Sequence, residues 1–290
     1  MIDLHVHTDR SDGSTAPADL VRQARELGID ALGIADHDTL AGYDAACPFA
    51  AEAGLELVCA VELSTRPEAQ KNSSKRERSV HVLGYFICSA PSPGFRHWLE
   101  SQQASRRQRN LDLVAKLRQL GVEITLQDAE VYGRTQVGRP HFAKVLCDKG
   151  YVATVQDAFD VYLADDAQAS VERDEPSLEE GIQWIREGGG FASLAHPVRL
   201  PQQGIDLENL VRKLRGTGLA GIEVYHSEHT PEHSAMYLDL ARRLDLIPTG
   251  GSDFHGENKP GVRLGSGISG NVSVPYALLQ NIREMCFARQ

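Results

Sequence analysis

The chain has no C-x-x-C pair. Its five cysteines, Cys47, Cys59, Cys88, Cys147 and Cys286, are scattered and odd in number. That argues against a thiolate zinc site and a disulfide framework, and fits reduced thiols of a cytoplasmic protein. No apolar run is long enough to span a bilayer, and no basic-then-apolar leader opens the chain, so neither membrane attachment nor secretion is expected. A basic surplus is also missing: the formal net charge is −10. A protein that holds long duplexes through counterion release needs the opposite sign, so long nucleic acids are not expected as partners. There is no P-loop and no G-x-G-x-x-G turn between a strand and a helix. Internal repeats and low-complexity tracts are absent too. What remains is 290 residues with 41% apolar and 24% charged content, enough for one large α/β domain or one domain with an inserted subdomain.

Strand-like runs recur at Ile2 to Val6, Ala31 to Ala35, Leu55 to Val61, Val80 to Phe86, Phe191 to Ala195, Gly221 to Tyr225 and Leu246 to Thr249. Helix-like segments alternate with them: Pro17 to Leu27 stopped by Gly28, a segment ending at Gly54, Leu207 to Leu214, and Pro231 to Leu244. This alternation predicts a parallel sheet with crossover helices, and seven such units predict a closed or distorted barrel formed by residues 1–93 and 187–290. Residues 94–186 break the rhythm with helical segments at Phe95 to Leu120, Pro140 to Lys149, Thr154 to Leu163 and Leu178 to Glu187, and read as a helical insertion or cap. The polar run from Arg66 to Ser79, with Lys71, Lys75, Arg76 and Arg78, reads as a solvated loop.

The C-terminal ends of barrel strands carry the chemistry in such folds. Here they carry imidazoles and carboxylates. His5 and His7 are two apart, which on a strand puts both rings on one face. Ser11-Asp12-Gly13, Asp36-His37-Asp38, Glu62, His81, His196, Glu223 to His226, and Asp253 to His255 follow at later strand ends. A barrel brings these distant positions to one mouth. His5, His7, Glu62, His81, His196 and Asp253 supply donors for two metals, and Asp12, His37 and His255 for a third. Glu62 is the natural bridging carboxylate. A set of nitrogen and oxygen donors without thiolate suits Mn²⁺, Zn²⁺ or Fe²⁺. His229-Thr230-Pro231-Glu232-His233 matches the H-x-x-E-H protease pattern, but Pro231 starts a helix and leaves His229 outside it.

Taken in order, H-x-H, S-D-G, D-H-D, E-L-S, H-x-L-G-Y, A-H-P and S-D-F-H resemble the polymerase and histidinol phosphatase (PHP) family. Asp12 stands where some relatives carry histidine. The resemblance implies a distorted (β/α)7 barrel of the PHP and amidohydrolase type, two or three divalent cations with Mn²⁺ foremost, and phosphoester hydrolysis. Within the insertion, Val137-Gly138-Arg139-Pro140-His141-Phe142-Ala143 resembles the segment of PHP phosphoesterases that act on nucleotides. That likeness implies a 3′,5′-nucleoside bisphosphate as substrate, with short 5′-phosphorylated RNA as a further one. Alternatives are another small phosphomonoester such as histidinol phosphate, or a non-catalytic metal-binding accessory domain. On this reading Asp12, Arg134, Arg139, His141 and Arg199 contact the substrate, while His37, His226 and Asp253 serve catalysis, with His226 either giving a proton to the leaving oxygen or bonding a metal ligand.

Overall fold

The computed structural model describes residues 1–66, 79–133, 136–164 and 166–288. The four basic residues of the polar run, and Arg134, lie outside them. The first unit shows why these residues fold locally as they do. Strand β1 (Ile2–Val6) is buried throughout, and helix α1 (Pro17–Glu26) starts on Pro17, whose fixed φ suits the first turn. Leu20, Val21 and Ala24 form its buried stripe. β2 (Ala31–Ile34) and α2 (Ala41–Ala53) repeat the unit, and α2 ends on Gly54 in the left-handed conformation that a side chain would strain. Next come β3 (Glu56–Thr65) and β4 (Val80–Phe86). A helical region follows: α3 (Pro93–Gln119), α4 (Leu126–Gly133), α5 (Arg139–Asp148), α6 (Val155–Ala158) with a π-turn at Phe159–Leu163, and α7 (Leu178–Glu187). The chain closes with β5 (Phe191–Leu194), α8 (Gly204–Thr217), β6 (Gly221–Tyr225), α9 (Pro231–Arg243), β7 (Ile247–Gly250) and α10 (Tyr276–Ala288). Among the described residues no helix is long and apolar enough to cross a membrane.

The seven strands neighbour one another in sequence order. The expected all-parallel sheet is corrected at β4, which runs antiparallel to both β3 and β5. An antiparallel neighbour needs no crossover helix, and β4 pairs directly with β3 from Cys59–Phe86 to Thr65–Val80. The reversal places the beginning of β4, with His81, on the rim formed by the ends of the other strands. The sheet curls until its edges meet: Asp253 N–H donates to His5 O at 2.8 Å and His7 N–H to Phe254 O at 2.9 Å. At the opposite end Ile2 N–H donates to Val274 O at 3.3 Å.

Alternation along the strands separates chemistry from core. Glu62 shares its face with Val58 and Ala60, and His81 shares its face with Leu83 and Tyr85. Those four apolar residues join Leu278, Leu279 and Ile282 of α10 in one buried cluster beneath the site. The helical region divides in its packing. Residues between Leu113 and Ala169 share a cluster of their own, whereas Phe95, Leu99, Leu178, Ile182 and Ile185 pack into the cluster of β3 to β6.

Closure of the curl depends on a close approach at Gly251, where any Cβ would collide with His5 N and Cβ. Gly251→Ala is expected to cost about 2 kcal/mol, as overpacking of a tight contact does. Urea unfolding checks this; an unchanged midpoint would mean that the seam is slack.

Candidate metal centre

Each functional side chain is held by a strand end or the turn just past it. β1 supplies His5 and, one step beyond it, His7. The turn after β2 supplies His37, whose backbone bridges to Glu62 on β3. His196 follows β5, and Asp253 and His255 follow β7. Three of these turns hold residues in left-handed geometry: Asp38 at φ 53°, His196 at φ 23° and Asp253 at φ 56°. Non-glycine residues enter this region only when their surroundings force them, and such strain gathers at functional sites.

The centre of the arrangement is the Glu62 carboxylate, 1% exposed. His81 Nδ1 lies 2.7 Å and His196 Nε2 2.8 Å from its Oε1. His7 Nε2 lies 3.1 Å, His5 Nε2 3.2 Å and His37 Nδ1 3.5 Å from its Oε2. Asp253 Oδ1 is 3.4 Å from His7 Nε2 and 3.7 Å from His5 Nε2. Asp12 completes the other flank, 3.5 Å from His7 Nδ1, 3.5 Å from His37 Nε2 and 3.3 Å from His255 Nε2.

These donors fit divalent cations better than they fit one another. Both ring nitrogens of buried His7, and Nδ1 of His37, have no hydrogen-bond partner. Leaving such groups unpaired costs about 1–3 kcal/mol each. His81 Nδ1 and His196 Nε2 face each other at 3.3 Å while both face one carboxylate oxygen. Donors about 2.1 Å from a shared cation sit roughly 3.0–3.4 Å apart, which is the spacing seen here. Three groups have donors close enough for this role: His7, Asp12, His37 and His255; His5, His7, Glu62 and Asp253; and His37, Glu62 and His81. The four described cysteines, Cys47, Cys59, Cys88 and Cys147, belong to none of them.

The electrostatics of the metal-free cluster point the same way. Burial works against a charged His7, but the carboxylates of Asp253 and Glu62 hold its pKa up at about 9. Burial and the Arg199 guanidinium push His196 down to about 3, so it is a neutral donor. Burial opposes ionised Glu62, yet His37, His81 and His5 hold it well below the usual carboxylate range.

Partners outside the cluster fix these rings. Glu223 Oε1 lies 2.8 Å from His5 Nδ1, and its Oε2 accepts the His196 N–H at 2.6 Å. His5 thereby directs Nε2 inward. Asp3, wholly buried, accepts N–H and O–H from Ser252 and the N–H of Gly265, tying β1 to the loop that bears Asp253. Asp36 accepts the Thr8 N–H at 2.8 Å and the hydroxyls of Thr8 and Ser11. Strand-end position signalled Glu223, the D-H-D motif contains Asp36 and Asp38, and Asp3 lies two residues before H-x-H; no spacing rule separates such supports from ligands.

The other expected residues are dispersed. Arg199 donates to Asp253 Oδ2 at 2.8 Å and to Glu228, and Lys259, missed in the sequence, donates to the same Asp253 oxygen at 2.8 Å. His226 Nδ1 accepts the Glu228 N–H, leaving its Nε2 as the protonated nitrogen, 3.3 Å from Asp253 Oδ2. His141 is buried, accepts the Gly138 N–H and caps α5. Arg139 lines the cavity at the mouth. That cavity, of about 1260 Å³, has the cluster on one wall and the helical region on the other, including Arg106, Arg109 and Arg139. The cluster opens to it through Asp12, His37 and His81, whose side chains are 21%, 17% and 20% exposed, while His5 and His7 are at 0%.

Comparison with known proteins agrees with this geometry. The model of the PHP domain matches residues 3–164. The chain belongs to the PHP domain family. A 5′-3′ exoribonuclease of Haemophilus influenzae is 32% identical, over 87% of this chain and 89% of that protein. A 3′,5′-nucleoside bisphosphate phosphatase of Chromobacterium violaceum is 30% identical, over 91% and 90%. A solved protein of Bifidobacterium adolescentis, described as a candidate metal-dependent phosphoesterase, superposes with a TM-score of 0.80 at 31% identity, covering 97% of this PHP chain and 94% of that one.

Because Glu62 belongs to two of the three donor groups, Glu62→Gln is expected to remove all but one equivalent of bound Mn²⁺. Titration calorimetry on metal-stripped protein checks this; wild-type stoichiometry in the variant would remove Glu62 from the centre. Glu223→Gln, which weakens the support of His5, is expected to lower Mn²⁺ affinity by about 10–100-fold without lowering the count.

Proposed function

We propose that this PHP protein is a metal-dependent phosphoesterase that removes the 3′-phosphate of nucleoside 3′,5′-bisphosphates and also shortens short 5′-phosphorylated RNA. The observation that carries this reading is the cavity with two charged walls. One wall offers the donor cluster, and the other offers Arg106, Arg109 and Arg139. Arg109 is the telling member. It is 8% exposed, and among the described residues no carboxylate bonds it; its Nε donates to Asn110. Burial and the neighbouring cations Arg106, Arg139 and Arg173 push its pKa down to about 9. A buried cation so placed gains from an anion, and a 5′-phosphate supplies one. The relatives named for bisphosphate and RNA substrates support the same class.

His5, His7, Asp12, His37, Glu62, His81, His196, Asp253 and His255 would hold two or three cations, with Mn²⁺ favoured. Bound there, such cations lower the pKa of water and neutralise phosphoryl oxygens. The chain's own groups do the positioning that phosphoryl transfer demands. Arg199 and Lys259 already point donors at the Asp253 edge, and a phosphoryl group arriving at the mouth takes up those donors. Asp12, His37 and His81 form the edge that substrate meets first. His226, roofed by Asp253, orients the carboxylate. Cytoplasmic nucleotide turnover is the setting that fits these substrates.

Phosphate release from adenosine 3′,5′-bisphosphate, 3′-AMP, 5′-AMP and histidinol phosphate, with Mn²⁺ and after chelation, tests the proposal. The bisphosphate is expected to exceed 3′-AMP at least about ten-fold in kcat/KM, worth about 1.4 kcal/mol, and chelation to abolish turnover. Equal use of 3′-AMP would refute recognition of the 5′-phosphate. Preference for histidinol phosphate would replace the substrate class, and bound Mn²⁺ without turnover of any ester would leave an accessory domain. Arg199→Ala is expected to lower kcat about 10²-fold, as loss of one charge-stabilising donor does.

A further inference from the structure

Several side chains of the helical region meet the barrel rim at Asp38, which follows His37 in the Asp-His-Asp motif. Its carboxylate accepts from the Arg106 guanidinium of α3, from Arg173 Nη1 at 3.1 Å, and from the Ser64 N–H at 2.8 Å. Its carbonyl accepts from Gln103 Nε2 at 3.0 Å and Gln136 Nε2 at 3.4 Å. Its own N–H donates to Glu62 O at 3.0 Å. Four side chains of the helical region, Gln103, Arg106, Gln136 and Arg173, therefore converge on one strained residue that is also bonded to the backbone of Glu62. Every contact bears on the turn that carries His37, a member of two of the three donor groups.

We propose that Asp38 is a positioning residue through which the seated helical cap holds His37 in place, so that cation binding on the His37 side depends on cap docking. The inference rests on the reading that the cluster binds cations. Its physical basis is the asymmetry of buried ion pairs: removing one partner leaves the other charge uncompensated, and the segment that bears it pulls away towards water. Here the segment is the cap, and the turn it leaves is the one bearing His37. Asp38→Asn isolates the charge. The two side chains have nearly the same shape, and asparagine also tolerates positive φ, so the backbone need not move. Arg173 offers a second handle. Its side chain is 1% exposed and does not line the cavity, so it touches neither substrate nor cation.

Mn²⁺ titration of the metal-stripped full-length protein tests the coupling, with hydrogen exchange of cap amides as a second readout. Asp38→Asn and Arg173→Met are each expected to weaken two cation equivalents by ten-fold or more, to leave the remaining one unchanged, and to raise exchange in α4 and α5. Arg173→Lys, which keeps the charge, is expected to restore much of that affinity. His37→Ala should lower the same two equivalents, and Asp38→Asn should then add nothing in the double variant. If Asp38→Asn does not fold, the Arg173→Met and Arg173→Lys pair decides the matter alone. Wild-type affinity for every equivalent in Arg173→Met would overturn the proposal, as would uniform weakening of all equivalents. A wild-type protein that binds no Mn²⁺ fails earlier and differently, because it removes the cation reading itself.

Discussion

The structure depends on one crowded carboxylate. Glu62 has five imidazole nitrogens within 3.5 Å, three of them on rings withdrawn from water and two on the half-buried rings of His37 and His81. No hydrogen-bonding pattern satisfies that many rings, and no isolated pair would choose such a setting. The fold must therefore supply the energy that holds them together. It does so through apolar layers beneath the rim, through left-handed turns at His196 and Asp253, and through buried acids that brace the rings from behind. A protein of this size can sustain such local disadvantage because its core is large and continuous with the strands that bear the ligands.

The division of labour between the two halves of the cavity follows from their chemistry. The barrel wall is rich in imidazole and carboxylate, the natural company of cations. The cap wall contributes arginine, the natural company of phosphate oxygens. Neither wall alone selects a substrate. They line one cavity, and the protein's overall negative charge sets that local cationic pattern against a background that repels long polyanions.

The gathering of His5, His7, Glu62, His196 and Asp253 was legible in the sequence because barrel topology sends strand ends to a single rim, and each of these residues closes an apolar run. The direction of β4 was not legible, because an apolar run of seven residues looks the same in either sense. Arg106, Arg109 and Arg173 were hidden for another reason. They lie in stretches crowded with charge, where solvent-facing and buried arginines share one pattern. His226 had two readings from its place at the end of β6, proton donor or partner of a metal ligand, and sequence alone could not place its Nε2 3.3 Å from Asp253 Oδ2. His141, expected to meet substrate, spends its Nδ1 on the start of α5.

The reversal of β4 has a mechanical result. Glu62 and His81 sit on two strands laced together by a continuous antiparallel ladder, so the gap between them is fixed by the backbone. Asp12 and His255, on the far flank, belong to loops joined by single hydrogen bonds, Ser14 N–H to His255 O at 3.0 Å and Asn258 Nδ2 to Asp12 O at 2.7 Å. One flank of the centre is thus braced by a ladder of seven residue pairs and the other by isolated loop contacts, so a change in loop length would be felt at Asp12 and His255 before it reached Glu62 and His81.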